Sequence, residues 1–244
     1  MGNARMSLLA AIARNTWVPL ARARAATLCS KAATPSHHAL VDFGAASPSF
    51  PRDTVLVWPE FLSVAEEKAL LDELQPRLDA KGDFEQAHMD KVIEGYRELE
   101  VKPSQWDASG AGADVIARAE EAMRGAAEPG GHWGALLPEV HVLELAAEGQ
   151  IDAHVENTSF LGDALGGISL VSECVMRLRE GDGYQNVGES TVDLLLPPRS
   201  LYVLFGKARY DYTHQITDDA QSWRGEAIPR ARRVSLILRT VDPW

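Results

Sequence analysis

The sequence predicts a mainly β fold, a sandwich or jelly roll, preceded by helices. From Glu139 onward, short runs of β-branched and apolar residues alternate with turn signals, the pattern of half-buried antiparallel strands. Ahead of Glu139, apolar residues recur at helical intervals instead. A chain of 244 residues with 45% apolar side chains can bury one substantial core or at most two small ones. One domain over 42–244 behind a leader over 1–41 is the simplest division.

In chain order, a connector containing Pro and Ser spans 45–52, and Thr54-Val-Leu-Val-Trp58 reads as an entry strand stopped by Pro59. Ser63-Val-Ala-Glu66 has capping-box spacing, and Leu70, Leu71, Leu74 and Leu78 follow at helical intervals, which predicts a helix over 63–80 weakened at its far end by Pro76 and Gly82. Residues 88–100 are polar and aromatic without clear periodicity. Residues 114–127 are rich in Ala and Glu with helical spacing, and Gly130-Gly131 punctuates the chain. Strands are expected at 139–146, 151–156, 167–179, 190–196, 200–206, 212–216 and 233–241. Turns are expected at Glu148-Gly149, Gly162, Gly181-Asp182-Gly183 and Pro197-Pro198.

Two cysteines, Cys29 and Cys174, exclude a multi-bridge disulfide framework and a zinc site built on cysteine, which fits a reducing compartment. No run of about 18 to 20 uninterrupted apolar residues is present, so no membrane span is expected. Charge is uneven. Residues 1–41 hold five basic and no acidic side chains, which leaves 19 basic against 35 acidic residues and a net charge of −16 over 42–244. The leader, with Arg5, Arg14, Arg22 and Arg24 beside an apolar stripe of Leu8, Leu9, Ile12, Trp17 and Leu20, has the composition of an organellar transit peptide. The acidic remainder is at an electrostatic disadvantage on nucleic acid, which is bound largely through its phosphates.

Two residues two apart on a strand point the same way, so His154-Val155-Glu156 aims an imidazole and a carboxylate into one space. A non-haem Fe(II) site of the facial-triad type needs one more histidine and three open positions, and His214, sixty residues on, is the available ligand. On the strand Arg233-Val-Ser-Leu-Ile-Leu-Arg239, both arginines share a face with Ser235 and Ile237, opposite Val234, Leu236 and Leu238. Interior arginines need partners. A dicarboxylate such as 2-oxoglutarate would supply one, its distal carboxylate clamped by Arg233 while its keto-acid end chelates iron. The competing reading pairs both arginines with structural Asp or Glu. His37, His38, His88, His132 and His141 read as surface or satisfied structural histidines, Tyr210 and Trp223 as packing residues, and Cys174 as a small buried hydrophobe.

The blocks His141-Val-Leu-Glu-Leu-Ala, Ile151-Asp-Ala-His-Val-Glu, Gly167-Ile-Ser-Leu, Val175-Met-Arg-Leu, Ser200-Leu-Tyr-Val-Leu, Ala208-Arg-Tyr-Asp-Tyr-Thr-His214 and Arg232-Arg-Val-Ser-Leu-Ile-Leu-Arg239 resemble the AlkB-like 2-oxoglutarate-dependent oxygenases in order and spacing, and most of all their mitochondrial branch. The resemblance covers 54–241. It implies a double-stranded β-helix (jelly roll) core with flanking N-terminal α-helices, and Fe(II), 2-oxoglutarate and O2 as the reactive set. It places His154, Glu156 and His214 at the metal and Tyr202, Arg233 and Arg239 at the co-substrate. Glu156 stands where the family has Asp: the extra methylene moves the carboxylate, so the metal shifts, the ligand folds back, or turnover falls. Leu143 and Leu145 replace polar groups that touch the co-substrate in nucleic-acid-repairing members. Asp152, on the same strand face as His154, is the alternative carboxylate.

These implications point to an enzyme of the mitochondrial matrix, a monomer, that hydroxylates or demethylates a protein, with mitochondrial RNA as the rival substrate. The alternative is a metal-binding scaffold whose Glu156 has cost it turnover and which regulates a mitochondrial partner. If the leader directs import, deleting residues 1 to about 40 leaves the protein cytosolic under fluorescence microscopy; mitochondrial signal from the truncated chain contradicts the assignment.

Overall fold

Side chains on a strand alternate between two faces, and here both faces are covered by different partners. The computed structural model describes residues 39–87, 91–126, 134–181, 187–217 and 219–241. The leader up to residue 38, with His37 and His38, and His88, His132, the Gly130-Gly131 break and Asp182-Gly183 of the expected turn lie outside them, whereas Val41, the last leader residue, already belongs to β1. In order the elements are β1 (Val41–Asp42), β2 (Val55–Trp58), α1 (Val64–Asp79), β3 (Ile93–Val101), α2 (Gly112–Ala126), β4 (Ala135–Leu136), β5 (Val140–His154), β6 (Ala164–Leu170) and β7 (Cys174–Gly181). They continue with β8 (Val187–Leu196), β9 (Leu201–Phe205), α3 (Lys207–Tyr210), β10 (Tyr212–Ile216), β11 (Gln221–Trp223), β12 (Glu226–Ile228) and β13 (Arg233–Val241).

Eleven strands form one antiparallel sheet in the order β1-β8-β7-β10-β5-β13-β6-β9-β2, with β3 added to β5 and β4 to β13. Long strand β5 joins its two halves: residues 141–145 pair with β13, whereas Ile151 and His154 pair with β10. Val234, Leu236 and Leu238 of β13 pack with Leu70, Leu74 and Leu78 of α1 and Val115, Ile116, Ala119 and Met123 of α2, so the helices cover the outer face. The inner face forms a second core from Leu143, Leu145, Leu165, Met176, Leu178, Val192, Leu194, Tyr202 and Ile216. The two-faced reading of 233–239 holds. Glu144, on the helix side and 0% exposed, is paired with Arg97 at 2.8 Å and also with Arg232, tying β3 and the approach to β13 onto β5.

Helix α1 starts as its capping box requires, with the Glu66 amide donating to Ser63 Oγ at 3.2 Å and the Ser63 amide to Glu66 Oε2 at 2.8 Å. It runs through Pro76 without stopping, because Leu78 beyond the proline is fully buried and its packing outweighs the lost amide.

Three expectations about strands are corrected. The stretch 139–156 is one strand to His154 and not two: Glu148-Gly149 marks a bulge against β3 rather than a turn, with the carbonyls of Ala147 and Gly149 accepting from Arg230. The stretch 167–179 is two strands, β6 and β7, separated at Val171, whose φ is +77°. Most of the stretch 88–100, read as aperiodic, belongs to β3 (Ile93–Val101), because the bulge at Gly95 resets the alternation and the face turned to the outer cleft carries Glu98 and exposed Glu100. No helix among the described residues is long and apolar enough to cross a membrane.

Gly95 has φ +63°, and a Cβ there would stand 2.9 Å from the Gly149 Cα. Gly95→Ala is therefore expected to destabilise by about 1–3 kcal/mol, from backbone strain plus overpacking. Urea unfolding measures it, and an unchanged midpoint would show that the bulge is loose.

Candidate metal centre

His154 closes β5 and His214 lies on β10 directly opposite it, so the sheet register itself sets the two rings side by side, centroids 4.2 Å apart. His154 Nδ1 lies 2.8 Å from the Asp152 carbonyl oxygen. That oxygen can only accept, so Nδ1 carries a proton and Nε2 is the ring nitrogen left to bind a metal. Burial, with the neighbouring His154 next, pushes the pKa of His214 down to about 3, so this imidazole is neutral and able to ligate at ordinary pH.

Glu156 arrives by a different route. Strand β5 ends two residues earlier, so period-two alternation does not aim this carboxylate. Arg239 does: its Nε donates to Oε2 at 3.1 Å and its Nη2 to Oε1 at 3.0 Å, a bidentate pair. Burial alone would raise the carboxyl pKa, but the Arg239 charge and hydrogen bonds outweigh it and hold it at about 2. The backbone is fixed by Arg209, 3% exposed, which donates to the carbonyls of Glu156 at 3.1 Å and Asn157 at 2.9 Å. One nitrogen of each histidine and one Glu156 oxygen lie within 4.8 Å of one another. Cis donors on one octahedral ion stand about 3 Å apart at bonds of about 2.1 Å, so the three groups converge on a common point and would close further onto a metal.

The closing-strand arginines part company. Arg239, expected at the co-substrate, is engaged by Glu156, so the competing carboxylate pairing applies to it, with a carboxylate belonging to the cluster itself. Arg233 is 4% exposed, its Nε donates to Ser169 Oγ at 3.2 Å, and its Nη2 has no hydrogen-bond partner among the described residues. Buried guanidinium nitrogens are costly to leave unmatched, so this one marks a place for an anion. Tyr202, 4% exposed, lies across Gly167, where a Cβ would stand 2.3 Å from its ring; burial lifts its pKa to about 12, so the phenol keeps its proton. Tyr202, Arg233, His154, Glu156, His214 and Leu143 line one small inner cavity of about 40 Å³. His154, Glu156 and Arg239 also border an outer cleft of about 950 Å³, walled by Lys81, Lys91, Glu98, Glu100 and Asp152.

Asp152 contributes its carbonyl rather than its carboxylate. Tyr210 donates to Asp163 Oδ1 at 2.6 Å, Trp223 stacks under Arg224, and Cys174 is a free buried thiol. Sequence reasoning missed Arg209, Gly167 and the connections of His141. Only the spacing of Arg209 before His214 hinted at the first, and nothing local signalled the others.

Two imidazoles and one carboxylate suit ferrous iron, and the unmatched Arg233 beside them suits a carboxylate-bearing co-substrate. A jelly roll with such a cluster at its mouth defines the class of iron- and 2-oxoglutarate-dependent oxygenases. No protein-family model matches the chain. It is 42% identical over 199 residues, 81% of this chain and 83% of the relative, to "Alpha-ketoglutarate-dependent dioxygenase alkB homolog 7, mitochondrial" of Bos taurus. It is 40% identical over 191 residues to the protein of the same description from Mus musculus, covering 78% of this chain and 80% of that one. Among solved structures, a Pseudomonas putida prolyl-4-hydroxylase shares the fold with a TM-score of 0.53 at 18% identity, over 78% of this chain and 94% of that one. The chain belongs to the alkB homolog 7 family of alpha-ketoglutarate-dependent dioxygenases.

His154→Ala and His214→Ala are each expected to abolish Fe(II) retention with less effect on unfolding, because groups at an open site serve the metal more than the core. Iron stoichiometry after anaerobic desalting measures this; an unchanged ratio in either variant removes that ligand.

Proposed function

We propose that this chain is an Fe(II)- and 2-oxoglutarate-dependent dioxygenase of the mitochondrial matrix that hydroxylates or demethylates a protein substrate. One observation carries the reading: the unmatched buried nitrogen of Arg233 belongs to the same inner cavity as the His154, Glu156 and His214 donors. Bound iron, 2-oxoglutarate and O2 supply the chemistry, in which the keto acid is oxidatively decarboxylated to succinate and carbon dioxide as the second oxygen atom enters the substrate.

The protein's part is to bind and orient. Two neutral imidazoles and one carboxylate cancel a single charge of a ferrous ion, which leaves the site cationic and attractive to a dianion. Arg233 takes the distal carboxylate with its free edge, steadied from behind by Ser169, and the protonated Tyr202 phenol donates to the same group. Arg239 works at the metal end, where it offsets the Glu156 charge. Leu143, buried in the cavity lining, keeps water from that wall.

The outer cleft supports a peptide rather than a nucleic acid. Its wall mixes Lys81 and Lys91 with Glu98, Glu100 and Asp152, and the domain is acidic, whereas phosphate binding wants concentrated basic charge. The basic leader and the mitochondrial descriptions of the relatives support the location.

Anaerobic loading with Fe(II) and 2-oxoglutarate followed by oxygen is expected to yield succinate above an iron-only blank even without substrate. Arg233→Met is expected to raise the KM for 2-oxoglutarate at least about tenfold, the cost of one charge-assisted carboxylate contact. Glu156→Asp should retain iron and turn over within severalfold of the parent, whereas Glu156→Ala should lose most of both. Metal binding without 2-oxoglutarate consumption would favour the scaffold alternative, and methyl loss from mitochondrial RNA but from no protein would replace the substrate class.

A further inference from the structure

We propose that Glu98 and His141 are positioning residues for the carboxylate ligand Glu156, acting through Arg239, and that they adapt the site to a glutamate in place of an aspartate. This rests on the metal-binding reading of His154, Glu156 and His214. A continuous line of hydrogen bonds runs from the cleft wall to the ligand. Glu98 Oε2 lies 2.8 Å from His141 Nε2, Arg239 Nη1 lies 3.2 Å from His141 Nδ1, and the remaining edge of Arg239 holds both oxygens of Glu156 at 3.1 and 3.0 Å.

The chemistry of the donors sets the direction of every bond in that line. A guanidinium nitrogen only donates, so His141 Nδ1 must accept and carries no proton. Nε2 then holds the ring proton and donates a hydrogen bond to the Glu98 carboxylate. His141 is therefore a neutral imidazole polarised by an anion on one side, which strengthens its lone pair toward Arg239 on the other. The sheet builds the line: His141 is paired with Glu100 and with Ile237, and Leu143 is paired with Glu98. Glu98 and Arg239, each two residues from one of His141's cross-strand partners, lie diagonally to it on the same face.

The need for such a line follows from the length of Glu156. Beyond the end of β5 the backbone fixes only where its Cα stands, and a glutamate has one more rotatable bond than an aspartate to settle. Arg239 restrains the carboxylate, yet an arginine is itself a long side chain with about 2 kcal/mol of rotamer entropy. Its contact with His141 engages Nη1, the guanidinium nitrogen not used by Glu156, and so restrains the guanidinium plane from a second side. A shorter aspartate has less freedom to remove and reaches Arg239 less fully, so it depends less on the line.

Co(II) titration of the metal-free full chain under anaerobic conditions, without 2-oxoglutarate, tests this, reading the dissociation constant and the visible d–d band. In the Glu156 protein, His141→Ala and Glu98→Ala are expected to weaken Co(II) by about tenfold, the scale of an outer-sphere partner, and to shift the band. His141→Asn, whose side-chain oxygen can take the place of Nδ1, is expected to stay within about threefold of the parent. In a Glu156→Asp background all three effects should fall below about threefold. Parent-like affinity and spectrum in Glu98→Ala, a partly exposed site at which folding is not at stake, overturn the proposal even if His141→Ala unfolds. So does a His141→Asn no better than His141→Ala, or equal sensitivity in the Asp background. Failure of the parent to bind Co(II), or His154→Ala binding as the parent does, instead overturns the metal reading beneath it.

Discussion

The pairing of Arg239 with Glu156 is the interaction on which the site depends. Each charge sits where burial alone would make it expensive, and each is tolerable only because the other is within 3.1 Å. The pair keeps Glu156 ionised and brings it alongside two histidines, of which buried His214 is kept neutral, so a two-nitrogen, one-oxygen donor set is ready without a metal to assemble it. Removing the arginine would leave a longer, freer carboxylate beyond the end of a strand, with no local structure to hold it near His154 and His214.

Strand β13 makes this possible through its two faces. Its outward residues, Val234, Leu236 and Leu238, are locked under α1 and α2, and that apolar packing fixes the register of the inward set. Arg233 and Arg239 are thereby held six residues apart on one face, one at the depth of the cavity and one at its mouth. The two share a strand and a chemistry but not a role. A carboxylate of the protein satisfies the outer one, while the inner one retains an unmatched nitrogen beside Tyr202 and the donor cluster. The fold thus separates a protein-satisfied cation from one reserved for a ligand. The outer cleft, bordered by β3 and the end of β5, leads onto the same three donors.

Glycine positions show how closely this arrangement is packed. Gly167 leaves the space in which the Tyr202 ring lies, and Gly95 and Gly149 let β3 and β5 approach at the bulge that carries β5 from the β13 side of the sheet to the β10 side. A strand that bulges between Leu145 and Gln150 presents Leu143 and Leu145 to the inner core and still delivers His154 opposite His214.

The sequence by itself determined the class of fold, the helix at Ser63, the two-faced closing strand and the identity of the candidate ligands. These are local matters: a capping box, a period of two, and a set of residue types whose chemistry is the same wherever they sit. The tertiary structure alone decided what those residues touch. It joined 139–146 to 151–154 as one bulged strand, because Gly149 of the Glu148-Gly149 pair that reads as a turn packs against Gly95, far earlier in the chain in β3. It placed Glu156 past the strand end, where long-range arginines and not alternation aim it. It also turned His141, an ordinary strand histidine by sequence, into a link between Glu98 and Arg239. Such contacts depend on register between strands distant in the chain, and register is fixed only when both faces of the sheet are packed.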